Sequence, residues 1–179
     1  MGTTSRAGPL EDEVWREARR LWGDKLTPIL PNLVGSHVSD STRSFLTHVG
    51  LPTECPLPFT FYHDERLLRP LSMVDADYLV FGDNYGVMFA VKAGTDELRS
   101  VYPDEKRPQR FVNSHISLFF TFLGLLASRL QELRQASSGH VDIVVHELRR
   151  QFLSRDARAL EDAHSWWNLL LEQAIEGFV

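Results

Sequence analysis

The spacing of apolar residues divides the chain into a helical beginning, a β-rich middle and a helical end. Leu10, Val14, Ala18, Leu21 and Trp22 recur at the interval that lines one side of a helix. Glu11, Asp12 and Glu13 lie at the positive end of its dipole, and Gly23 stops it. Lys25 to Ser36 carries Pro28, Pro31 and Gly35, which predicts a connector or a short extended segment. A second helix is capped by Ser39, Asp40 or Ser41, buries Phe45, Leu46 and Val49, and ends at Gly50, with Pro52 preventing continuation. Residues 1–9 read as a loose tail ahead of one domain spanning 10–179.

The period then falls to two. Phe59 to Tyr62 predicts a short strand, and Ser72 to Asp77 a polar turn. Tyr78 to Val91 predicts a hairpin at the centre of a sheet, two β-rich runs joined by a loop over Gly82-Asp83-Asn84-Tyr85-Gly86. Glu97 to Tyr102 predicts a strand with one wet face, and Gln109 to Val112 a further short strand. Helical spacing returns with Ile116, Phe119, Phe120, Leu123, Leu126, Leu130 and Leu133, behind cap residues Asn113 and Ser114. Ser137-Ser138-Gly139 breaks that helix, and Val144, Val145, Leu148 and Phe152 face inward from the next. Asp162 or Ser165 caps a last helix with Trp166, Leu170 and Ala174 on one line and Trp167, Leu171 and Ile175 beside it. The tryptophan pair reads as core. Short strands joined by brief turns, flanked by helices, give an α+β class: a central, mostly antiparallel sheet of four to six strands with helices around it.

Composition narrows the functional classes. A hydrophobic share of 43% and a charged share of 24% describe an ordinary globular protein. The net charge of −5 argues against a general nucleic-acid binder. One cysteine, Cys55, forms no internal disulfide, so the fold requires no oxidising compartment. Residues 1–9 have no apolar core of a secretory signal, and the most apolar run, Ile116 to Ala127, falls short of the roughly 20 residues a membrane span needs. A cytoplasmic protein without a membrane segment is the expectation.

Candidate chemistry fails position by position. His146-Glu147 begins a zinc-binding helix motif, but Arg150 stands where the second histidine belongs. Lys92 at the end of the hairpin matches a nuclease strand, but Ala90 occupies the acid position. Cys55, between Glu54 and Pro56, has neither a helix N-terminus nor a base to activate it. Gly82 and Gly86 are followed by a strand, not by the helix of a phosphate loop. Ser36, Ser39 and Ser41 near His37 and Asp40 are better read as caps than as a catalytic triad. The sequence thus points to no enzyme, no cofactor and no metal. The acids Asp75, Asp77, Asp83, Asp96, Asp104 and Glu105 fall in turns around the sheet, either as solvated loop charge or as an acidic surface for a basic partner.

Four segments carry a resemblance. Ser41-Thr42-Arg43-Ser44-Phe45-Leu46-Thr47-His48-Val49-Gly50-Leu51-Pro52 is similar to the TRRFLTEVGLP segment common in SUKH-type proteins, the SUKH-4 group in particular. Asp77 to Gly82, Phe111-Val112-Asn113-Ser114 and Ser165 to Gln173 follow in matching order. The resemblance implies the Smi1/Knr4 fold and an immunity protein that neutralises a cognate toxin of a bacterial polymorphic toxin system, often a nuclease or nucleic-acid deaminase. It also leaves open a regulatory protein-interaction module of the same fold. It carries over no catalytic residue. The partner is then a protein toxin domain, with no direct nucleic-acid or membrane contact. The binding residues expected in the sheet-edge loops are Asp75, Asp83, Asn84, Tyr85, Asp104 and Glu105, with Tyr85 as aromatic anchor.

Overall fold

The computed structural model describes residues 9–104, 107 and 109–177. Helix α1, Pro9–Trp22, buries Trp15, Ala18 and Trp22 and stops at Gly23. All of the expected 1–9 tail but Pro9 lies outside the described residues, and Pro9 begins α1. The expected connector holds β1, Leu26–Thr27, and a single turn α2, Pro31–Val34. Helix α3, Asp40–His48, is capped by Ser39, whose Oγ accepts from the Thr42 amide at 3.0 Å. After it, β2, Leu51–Pro52, pairs antiparallel with β1. Gly50 makes that pairing fit. Its φ is 92°, and a Cβ there would lie 2.0 Å from the Thr27 carbonyl oxygen.

The main sheet has six strands, every pairing antiparallel: β3, Thr60–Phe61; β4, Arg69–Ser72; β5, Asp77–Asn84; β6, Val87–Lys92; β7, Leu98–Val101; and β8, Arg110–Asn113. The order is β3-β5-β6-β7-β8, with β4 beside β3 along the same edge of β5. The β5–β6 hairpin is interior, as its sequence predicts. The sequence gives no sign of strand β4, because Pro70 interrupts it; an edge strand tolerates the proline.

The hairpin loop is shorter than its glycines suggest. Strand β5 runs through Gly82, Asp83 and Asn84, and only Tyr85 and Gly86 turn the chain. Gly82 serves another purpose: the β5–β6 register shifts between Val80 and Gly82, and a Cβ there would lie 2.6 Å from the Thr60 carbonyl oxygen, so it admits β3.

Helix α4, Ile116–Gln135, α5, Ser138–Arg155, and α6, Trp166–Ile175, follow the sheet. The inward residues expected of α4 and α5 are buried. Asn113 and Ser114 do not cap α4. His115 does, accepting from the Ser117 amide, because Asn113 and Ser114 are committed to Asp156. The break before α5 is Ala136–Ser137, and Gly139 lies inside the helix. In α6 the buried line is Trp167, Leu171 and Ala174, Trp166 is half-buried and Ile175 is exposed. Helix α4, at 20 residues, is long and apolar enough to cross a membrane, but 67% of its most apolar window is buried inside this fold.

The main core lies between helices and sheet. Phe119 on α4 meets Phe59, Phe61, Phe81, Phe89, Phe120, Trp166 and Trp167 at centroid distances of 5.2–6.4 Å. The edge-to-face contacts with Phe59, Phe61, Phe81 and Phe120 contribute beyond area burial.

Candidate functional site

The second face of the sheet is built differently. Tyr78, Val80, Ala90 and Val101 form a small cluster there, with Tyr62, Leu71, Met73, Ala76 and Met88 half-buried around it. None of these residues is helical. The expected wet face of β7 is dry at Val101, which pairs across from Met88, while Arg99 on the same face is only half-buried. Ser100 points to the helix side instead and is buried.

Loops cover this face, held by polar contacts. The Tyr78 hydroxyl donates to Asp75 Oδ2 at 2.7 Å and lies against the Gln109 side-chain oxygen, while Gln109 Nε2 donates to Asp75 Oδ1 at 2.6 Å. These bonds join the β4–β5 turn to the segment before β8. The donors from Gln109 and Tyr78 hold the Asp75 carboxyl below its usual range, and burial with the Asp75 contact raises the Tyr78 phenol. At the other margin Tyr62 donates to Asp83 Oδ2 at 2.8 Å. Burial first, then Asp83, pushes the Tyr62 phenol up to about 12. Arg66 lies over the Tyr62 ring at 4.6 Å and forms a two-pronged pair with Asp64. Between these groups runs a shallow groove of about 230 Å³, floored by Val80 and Met88 and walled by Tyr62, Pro70 and Leu71, with Arg66 and Arg69 at its rim.

The expected binding residues fall into two groups. Asp83, Asn84 and Tyr85 stand at the β5–β6 turn, where Asp83 and Asn84 are half-buried strand residues and Tyr85 is 88% exposed. Asp75 is exposed on the β4–β5 turn and Asp104 on the β7–β8 loop that also carries Gln109, and Glu105 lies outside the described residues. Sequence reasoning missed the groove residues Tyr62, Arg66, Arg69, Leu71 and Met88. A signal was present: Tyr78 with Val80 and Met88 with Ala90 alternate as a second apolar set opposite Leu79, Phe81, Phe89 and Val91.

Tyr85 is the feature that the fold does not explain. With φ of 47° at Tyr85 and 88° at Gly86, the turn is the type that favours Asn-Gly or Gly-Gly. A bulky side chain in the left-handed region costs on the order of 1 kcal/mol. Nothing is recovered, because the ring stands in solvent.

Other candidate groups named from the sequence are inert or internally committed. Burial pushes the Cys55 thiol up to about 11, so it is not a thiolate at neutral pH. Arg150, in the place of a second zinc ligand, binds Glu147. Ser39 and Thr42 both donate to Asp96 Oδ1, so Ser39 joins α3 to the β6–β7 turn. A larger cleft of about 570 Å³ between α1, α4 and α5 contains the Glu17–Arg155 pair, closed at 2.8 and 2.9 Å. Among the described residues there is no group of three metal-ligating side chains.

A family model described as SUKH-4 immunity protein matches residues 16–173 of the 179, so the chain belongs to that family. No curated protein and no solved structure matches it.

Proposed function

We propose, with SUKH-4 membership as the premise, that this protein binds and neutralises a cognate polymorphic-toxin domain, a nuclease or nucleic-acid deaminase, by occlusion and without chemistry of its own. The contact surface is the sheet face away from the helices and the turns at its margin. Tyr85 is the anchor, Asp83 and Asn84 support it, and Asp75, Asp104 and Glu105 steer a basic partner. The observation that carries this reading is Tyr85 itself: an exposed aromatic ring held in a left-handed turn that stabilises nothing within the chain. Large aromatics spend little conformational entropy on binding and dominate interface energetics.

The test is co-expression in a cytoplasm with the toxin domain encoded beside this chain, scoring growth and co-purification. Rescue and a stable complex are expected, with Tyr85→Ala weakening the complex by about tenfold or more. Absence of both rescue and complex sinks the immunity reading, and a gene neighbourhood with no toxin favours a regulatory interaction module instead.

A further inference from the structure

The groove on the helix-free face joins a half-exposed apolar surface to one uncommitted cation. Val80 is 5% exposed, but Met88, Leu71 and Tyr62 are only half-buried, so their outer surface still gains from being covered. The charged groups around the groove are otherwise paired. Asp64 binds Arg66 at 2.8–3.1 Å, and Asp83 takes the Tyr62 hydroxyl at 2.8 Å while facing Arg66. Arg69, exposed at the rim, has no acidic partner among the described residues. Its strand position fixes its direction. Arg69 pairs across from Val80, and cross-strand partners share a sheet face, so its side chain lies on the groove side beside Leu71 and Val80.

A guanidinium presents a rigid fork of donors that matches a carboxylate with two parallel hydrogen bonds. The adjoining floor has no polar side chain, so a ligand that satisfies Arg69 must also offer something apolar. We infer that this groove seats a segment of the protein partner in which a carboxylate side chain stands next to a large apolar one, with the carboxylate on Arg69 and the apolar group on Val80 and Met88. The inference rests on the reading of this chain as a toxin-binding protein, and it adds a demand on the partner: beside the basic surface that meets the acidic loops, it carries an acidic, apolar segment. A nucleic acid also offers anions to arginine, but as a polyanion it meets the net charge of −5 and the acidic margins along its whole length, whereas a single carboxylate faces Arg69 alone.

Calorimetry of the full chain with the toxin domain encoded beside it tests this, using Arg69→Glu in the groove and Arg134→Glu at the far end of α4 as an exposed control of equal charge change. Arg69→Glu is expected to weaken the complex about tenfold or more and Arg134→Glu less than twofold, and Met88→Ala is expected to weaken it about threefold to tenfold. Thermal melting of Arg69→Glu unchanged from the wild type shows that the loss is one of contact. Equal effects of the two charge variants, or none from either, overturn the inference while the complex itself leaves the proposed function standing. A wild-type chain that neither binds nor rescues removes the proposed function and this inference with it. Binding of a single-stranded oligonucleotide that is abolished by Arg69→Glu overturns the inference in favour of nucleic acid.

Discussion

On the helix side of the sheet, Phe119 is surrounded by seven rings, and α4 and α6 press on the strands with mostly buried side chains. On the far side, Tyr78, Val80, Ala90 and Val101 are equally dry, but what covers them is a turn, Met73–Ala76, and a few hydrogen bonds from Tyr78, Gln109 and Tyr62. One face is closed by interlocking volume and the other by polar tethers. Interlocked rings give stability and resist change of shape. Tethered loops over a thin apolar layer give a surface that is ordered yet only part covered, and that suits a partner supplying the rest.

The largest contrast is expected from truncating each face. Phe119→Ala should lower the unfolding free energy by about 3–5 kcal/mol, and Met88→Ala by about 1 kcal/mol or less, because a half-exposed side chain leaves no sealed cavity. Urea denaturation of both variants measures the difference, and equal losses would break the distinction between the faces.

A second effect belongs to the polar hub on the helix side. Asp156, 6% exposed, accepts from Asn113 Nδ2 at 3.1 Å and from the Ser114 amide and hydroxyl at 2.8 and 2.9 Å, while Asn113 Oδ1 accepts from Trp167 at 2.9 Å. Asp156→Ala leaves buried donors without partners and should cost about 2–3 kcal/mol. A loss below about 0.5 kcal/mol in the same denaturation assay would show that Asp156 does not hold the end of β8 against the end of α5.

The tethers of the far face are open to pH. The folded protein raises the Tyr62 phenol from 10.0 to about 12, so the neutral form is favoured in the native state. The corresponding stability is complete below pH 10 and is lost as pH rises from 10 to about 12. Ultraviolet titration of tyrosinate should show this late ionisation and its disappearance in Tyr62→Phe. A phenol titrating at its ordinary value would mean that Tyr62 is neither buried nor bonded to Asp83 in solution.

The smallest effect has the opposite sign. Tyr85→Asn relieves the left-handed tyrosine and should stabilise the fold by about 0.5–1 kcal/mol while weakening the partner complex. A melt and a binding titration on one sample check it. Stabilisation without loss of binding would remove Tyr85 from the interface.

Much of the helix side was legible because its signals are local. The spacing of Ile116, Phe119, Phe120 and Leu123 defines a face within one element, and Ser39, Gly50 and Ser165 mark boundaries by their own backbone chemistry. Caps go astray where a side chain has a distant alternative: Asn113 and Ser114 are good cap residues, but Asp156, over 40 positions away, claims both. The helix-free face is hidden for a related reason. Its floor is assembled from β4, β5, β6 and β7, and β4 has no strand signature of its own.

The sequence by itself determined the helix stripes, the β5–β6 hairpin, the α+β class and the likeness to the SUKH-4 family, because each rests on neighbours within a few residues or on an ordered set of short segments. Tertiary structure alone decided that Gly82 admits a neighbouring strand, that only Tyr85 and Gly86 form the turn, and that Arg69 and Met88 line one groove. Those outcomes depend on which strands lie side by side and in what register, and register is a property of the assembled sheet.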